Sequence, residues 1–147
     1  MIRIKTVDAQ NILDVCQLTA KQEGIGKGMN GCACCNAISI AQAKYDAEMH
    51  PNAIYNNNVM VGFFMYQRAE DQADTATICR FMIDHKFQQK ELGEKALEHI
   101  LRGLKIQGVK KVIIKADDAN MIAAKRCLSF GFRLTGNHDE YCYELEW

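Results

Sequence analysis

The sequence predicts an α/β fold built on a mixed β-sheet, and three observations carry that expectation. Stretches of strand-type residues and stretches with apolar residues at helical spacing follow one another in a definite order. That order is strand, helix, helix, three strands, helix, strand, helix, two strands. The clearest helix sets Leu92, Ala96, Leu97, Ile100, Leu101 and Leu104 on one face, against Glu94, Lys95, Glu98, Arg102 and Lys105 on the other. Lys111 to Ala116, centred on Val112-Ile113-Ile114, has the continuous apolar character of a buried strand.

In chain order, the first strand is expected over Ile2 to Val7. Asp8 then caps a helix carrying Ile12, Leu13, Val15, Cys16 and Leu18 and ending near Gln22. Gly24, Gly26, Gly28 and Gly31 make residues 23–35 a loop, because so many glycines cost too much backbone entropy in a regular element. A second helix is expected from Asn36 to Glu48, stopped by Pro51. Asn56-Asn57-Asn58 turns a hairpin between Ala53-Ile54-Tyr55 and a strand over Val59 to Gln67, since asparagine tolerates positive φ. After a turn over Arg68 to Ala73, a strand from Thr75 to Ile83 and a polar stretch from Asp84 to Glu91 lead into the amphipathic helix, which Gly108 ends. A helix over Met121 to Phe130, closed by Gly131, and strands near Phe132 to Thr135 and Tyr141 to Glu146 complete the reading.

The length of 147 residues suits one domain, spanning 1–147. Apolar residues make up 48% and charged residues 24%, ordinary for a soluble globular chain, and no apolar run is long enough for a membrane span. The first residues alternate like a strand and lack the features of a signal peptide, so a cytoplasmic location is expected. Eighteen basic residues balance eighteen acidic ones, which gives no reason to expect a nucleic-acid or membrane partner. The odd count of seven cysteines suits reduced thiols rather than a disulfide framework.

Arg80 to Leu97 and Asn120 to Phe132, set in this element order, resemble the GNAT N-acetyltransferases. The resemblance implies a GNAT fold, with a mixed central sheet of about six to seven strands flanked by about four helices. Ser39-Ile40-Ala41-Gln42-Ala43, His50-Pro51-Asn52-Ala53-Ile54-Tyr55, Val61-Gly62-Phe63-Phe64-Met65-Tyr66 and Arg80-Phe81-Met82-Ile83-Asp84 are similar to the bacterial spermine/spermidine, or diamine, acetyltransferase branch. Acetyl-CoA as co-substrate, a small-molecule amine as acceptor, no metal and a homodimer through the closing strand are what the resemblance implies.

The family's pyrophosphate loop, Q/R-x-x-G-x-G/A, falls on Gln88, Gln89, Lys90, Glu91, Leu92 and Gly93, with Glu94 and Lys95 following. Such a loop works because successive backbone N–H groups at a helix N-terminus converge on an anion. Glu91 stands where the first glycine belongs. A carboxylate about 4 Å from a phosphate costs roughly 1 kcal/mol in a water-like medium and about 4 at an effective dielectric of about 20. Lys86, Lys90 and Lys95 lie near enough in sequence to offset that charge.

The resemblance further implies that Phe81, Met82 and Ile83 pair with the pantetheine arm and leave one amide aimed at the thioester carbonyl. Asn120 and Ala123 match the N-x-x-A signature on the cofactor side. Cys127 occupies the position of the tyrosine that protonates the departing thiolate. A thiol, with a reference pKa of about 8.5, is a possible general acid on a shorter side chain. Glu23, Glu48, Glu70 and Asp84 are candidate groups for drawing in or deprotonating a cationic amine, with Glu48 and Asp84 placed in the acceptor site.

Cys32, Cys34 and Cys35 form C-x-C-C without a matching His or second Cys pair, and His50, His85, His99 and His138 show no metal spacing. Tyr141, Tyr143 and Leu145 read first as the packed face of a closing strand. Three functions remain: a polyamine acetyltransferase, an acetyltransferase of a peptide, lysine or aminoglycoside amine, and an acyl-CoA-binding protein impaired by Glu91 and Cys127.

Overall fold

The computed structural model describes residues 1–19, 36–87, 90–116, 128–134 and 141–147. In chain order the elements are β1 (Ile2–Thr6), α1 (Ile12–Gln17), α2 (Asn36–Lys44), β2 (Met49–Asn56), β3 (Val59–Gln67), β4 (Thr75–Ile83), α3 (Lys90–Ile106), β5 (Lys111–Ala116), β6 (Arg133–Leu134) and β7 (Tyr141–Glu146). The strands form one seven-stranded sheet in the order β1-β2-β3-β4-β5-β7-β6. Every neighbouring pair is antiparallel except β4 and β5, which are parallel. The mixed sheet is thus as expected, with three α-helices among the described residues rather than about four. The expected fourth, over Met121 to Phe130, lies largely outside them.

Two apolar clusters place the helices. Ala96, Leu97, Ile100, Leu101 and Leu104 of α3 pack with Ile54, Phe64 and Ile78 on one face of the sheet. Val15 of α1 and Ile40 and Ala43 of α2 pack with Ala53, Phe63 and Met65 on the other. The opposite signs of Phe63 and Phe64 follow from strand alternation.

Several boundaries differ from expectation for local reasons. Leu18 leaves the helical region at φ −67 and ψ 140, so α1 stops at Gln17 instead of near Gln22. Asn11 is its N-cap residue; Asp8 acts one step earlier, its Oδ1 accepting the N–H groups of Gln10 and Asn11 at 2.9 and 3.0 Å. Helix α2 ends at Lys44, where Tyr45 donates back to the Gln42 carbonyl and Asp46 accepts the Glu48 N–H at 3.0 Å. Pro51 therefore does not stop a helix: it lies inside β2, opposite Met65. Its carbonyl accepts from Val7, which turns its own nitrogen toward β1 just beyond the last pair, Thr6 with Asn52. Pro51 has no N–H to return that bond to Val7, and the β1–β2 pairing stops there.

The asparagine hairpin is as the sequence indicates, with Asn57 and Asn58 at φ 51 and 69. Gly108, at φ 98, ends α3, and the next residue, Val109, donates to the Leu104 carbonyl at 3.0 Å, as in a Schellman closure.

Gly62 is a packing requirement. A Cβ there would collide with the Met82 carbonyl oxygen and stand 3.0 Å from Ile83 Cδ1. Gly62→Ala is expected to lower the free energy of unfolding by roughly 1–3 kcal/mol, as overpacking commonly does. A urea titration checks this; an unchanged midpoint would mean that β4 shifts aside without strain.

Candidate active site

The site begins with one extra residue. In the β3–β4 ladder Met65 pairs with Arg80 and Tyr66 with Ile78, so Cys79 has no opposite number on β3. A bulge of this kind bends and twists its strand. It also shifts the alternation: Ala76 and Ile78 face the α3 side before it, whereas Phe81 and Ile83 do so after it. Pairing between β4 and β5 ends at the same place, with Ile78 opposite Ile114.

Beyond that point β4 follows β3 while β5 follows β7 as far as Ala116 with Tyr141. The sheet therefore divides between its two parallel strands, at their carboxyl ends. Asp84 donates its N–H to the Val61 carbonyl at 2.7 Å, which makes it face β3. Alternation then turns the N–H and C=O of Phe81 toward the β5 side. Within the segment Phe81, Met82 and Ile83, the backbone groups of Phe81 thus turn toward the gap, while those of Met82 face β3.

Helix α3 starts at the same end. It begins at Lys90, two residues earlier than Leu92, after a 3₁₀ turn over His85–Phe87. Glu91 consequently sits inside the first helical turn, where a carboxylate is favoured by the helix dipole. Its side chain is exposed, as is that of Lys95, while Gly93 is buried. Leu92 packs against the α3-side core, and Glu94 is half-buried. Gln88, Gln89, Asn120, Ala123 and Cys127 lie outside the described residues, as do Glu23 and the Cys32, Cys34 and Cys35 cluster.

The acidic candidates do not converge. Glu48 directly precedes β2, beside the Met49–Gln67 end of the sheet, and its carbonyl accepts the Arg68 N–H. Asp84 follows β4 at the opposite end, so the two do not line one groove. Asp84 is also only 4% exposed. Its Oδ1 accepts the Thr19 N–H at 2.9 Å and its Oδ2 accepts the Lys86 N–H at 3.2 Å. A cavity of about 260 Å³ borders it, lined also by Asp14, Gln17, Leu18, Met60, Lys86 and Phe87.

Residues that spacing did not single out complete the picture. Arg80 emerges beside the bulge on the α2 side: its Nη1 donates to the Cys79 carbonyl at 2.8 Å and its Nη2 reaches Gln42 Oε1 at 3.5 Å. Its Nε is buried without an acceptor among the described residues. Tyr66 lies one strand away from the gap, stacked on His50 at 4.9 Å. Burial pushes its phenol up, and Arg68 partly offsets this. A bulge and the Asp84 bonds to backbone amides leave no residue-type signature in the sequence.

Among the described residues no group of three or more His, Cys, Asp or Glu side chains is arranged to hold a metal. No helix among them is long and apolar enough to cross a membrane.

Parallel strands that separate at their carboxyl ends beside a helix N-terminus define an α/β protein with a crevice suited to an anionic, nucleotide-like ligand. The chain belongs to the acetyltransferase (GNAT) family, whose model matches residues 21–132. It is 28% identical to the spermine/spermidine N(1)-acetyltransferase of Bacillus subtilis over 108 residues, covering 69% of this chain and 71% of that protein. The PaiA N-acetyltransferase of Thermoplasma acidophilum, solved in complex with coenzyme A, superposes with a TM-score of 0.71 at 12% identity, over 100% of this chain and 99% of that one. A GNAT acetyltransferase of Elizabethkingia anophelis with acetyl-CoA bound gives 0.70 at 15% identity, over 99% and 98%. At such identities the two structures establish the shared fold.

Proposed function

We propose that this acetyltransferase moves the acetyl group of acetyl-CoA onto a primary amine, with a polyamine such as spermidine or spermine as acceptor. The observation that carries the reading is the parting of β4 from β5 after Ile78, at the end where α3 begins. The family supports the reaction, and the distant Bacillus relative supports the polyamine.

The described residues fit acetyl-CoA. Phe81 offers backbone groups to an extended amide chain along β4, and the first turn of α3 offers N–H groups to a pyrophosphate. The family resemblance assigns Gln88, Gln89, Lys90 and Gly93 to the same pyrophosphate, and Asn120 and Ala123 to the coenzyme as well. Bound there, the coenzyme supplies an acetyl group activated as a thioester. The chain's own contribution is orientation, a dry apolar wall from Ile83 and Leu92, and amide dipoles along β4 that favour negative charge on a carbonyl oxygen.

The acceptor amine, with a reference pKa of about 10, has to lose a proton before it attacks. Asp84 is poorly suited to take it, because both its oxygens already accept backbone N–H groups. Glu48 is at the wrong end of the sheet. Cys127 is the proposed proton donor to the leaving thiolate. Cys127→Ala should then lower the maximal rate more than the affinity for acetyl-CoA, and an unchanged rate would assign the thiol to packing.

Release of CoA thiol with spermine, spermidine and simple diamines tests the proposal; saturable turnover is the expected result. Turnover confined to peptide, lysine or aminoglycoside amines would move the acceptor class. The departures from the family pattern at Glu91 and Cys127 prompt one second reading, an acyl-CoA-binding protein with little transfer activity. Calorimetric binding of acetyl-CoA with no turnover on any amine would establish it.

Because Glu91 occupies the positive end of α3, Glu91→Gly should tighten coenzyme A binding by roughly two- to fivefold at low salt, fading as salt is raised. Calorimetry at two ionic strengths checks this. Equal or weaker affinity would show that the exposed carboxylate does not oppose the phosphates.

A further inference from the structure

We infer that Asp84 is a positioning residue that couples the coenzyme side of the site to the acceptor side, through one carboxylate shared between two backbone amides. The inference rests on the gap beside β4 being the acetyl-CoA site.

Asp84 is fixed from behind by its own N–H, which donates to the Val61 carbonyl of β3 at 2.7 Å. In front, its Oδ1 holds the Thr19 N–H at 2.9 Å across 65 residues of sequence. The Thr19 carbonyl in turn accepts the His85 N–H at 2.8 Å, and His85 Nδ1 lies 3.2 Å from the same oxygen. Both polar backbone groups of Thr19 are therefore held by the pair Asp84–His85. Thr19 follows α1, which packs on the face of the sheet opposite α3.

The other oxygen looks the other way. Asp84 Oδ2 accepts the Lys86 N–H at 3.2 Å, within the 3₁₀ turn that leads to α3. This is the longer of the two bonds, and a cavity borders both Lys86 and Phe87 of that turn. A carboxylate is a rigid plane, so a donor that draws closer to one oxygen reorients the other. An anion pulled onto the N-terminus of α3 thus acts on Thr19 through Asp84.

Burying a carboxylate carries a desolvation penalty that an apolar side chain avoids, and charge-assisted bonds to two amides are what offset it here. The arrangement makes sense as a link, since Asp84 touches the lead-in to the coenzyme helix and the end of α1 at once. Physical coupling between ligands requires such an element, one whose geometry both sides bias.

Amide hydrogen exchange of the full chain, read by NMR with and without saturating coenzyme A, tests this. Bound coenzyme should slow exchange of the Thr19 amide by roughly fivefold or more. In Asp84→Asn, where an NH2 group replaces one accepting oxygen, coenzyme should still bind while its effect at Thr19 disappears. Coenzyme that binds without changing Thr19, or changes it equally in the variant, overturns the coupling and leaves the proposed function standing. Coenzyme that fails to bind overturns both. The wild-type comparison requires no substitution, so a variant that does not fold cannot protect the inference.

Discussion

One extra residue in β4 sets everything else in place. At Cys79 the strand gains a position that β3 does not match, and at the neighbouring Ile78 it loses β5 as a partner. A regular parallel pair would have run on, and its hydrogen bonds would have closed the sheet. The bulge instead leaves a strand edge whose backbone groups are fixed in place by β3 but directed away from it. On the proposed function, the outward groups of Phe81 pair with a ligand that resembles a strand.

The same division separates two tasks. Helix α3, held by a continuous apolar stripe, brings its N-terminus to the carboxyl end of β4 on one face. Helices α1 and α2 cover the other, with Val15, Ile40 and Ala43 against Phe63 and Met65. The proposed function has coenzyme approach from the α3 side and the amine from the α1 side, meeting where the sheet is open. Glycine at position 62 belongs to this design, because the Met82 carbonyl occupies the space a side chain would need. Asp84 stands at the junction, with backbone bonds to three segments far apart in sequence.

Most of the architecture was legible because periodicity reports burial. The stripe from Leu92 to Leu104 marked α3, the asparagine run marked the β2–β3 hairpin, and Gly108 marked the helix end. Boundaries failed where local hydrogen bonding overruled propensity. Pro51 reads as a helix stop, yet it sits in β2, where its missing N–H coincides with the end of the β1 pairing at Val7. Glu91 reads as part of a loop, yet its charge suits a helix N-terminus and α3 extends back to include it. For the site, resemblance pointed to Phe81 to Ile83 and to the start of α3, which stand at the same end of the sheet. It did not show that Glu48 and Asp84 lie at opposite ends of the sheet. Sequence separation says nothing about which end of a strand faces the crevice, and a carboxylate committed to backbone amides looks identical in sequence to one awaiting a cation.

The most direct measurement is a crystal structure of the chain with coenzyme A. On the proposed function the pantetheine arm lies along β4 against the backbone of Phe81 and the pyrophosphate on the first turn of α3. Coenzyme found elsewhere, with β4 and β5 unparted beside an empty helix terminus, would contradict it.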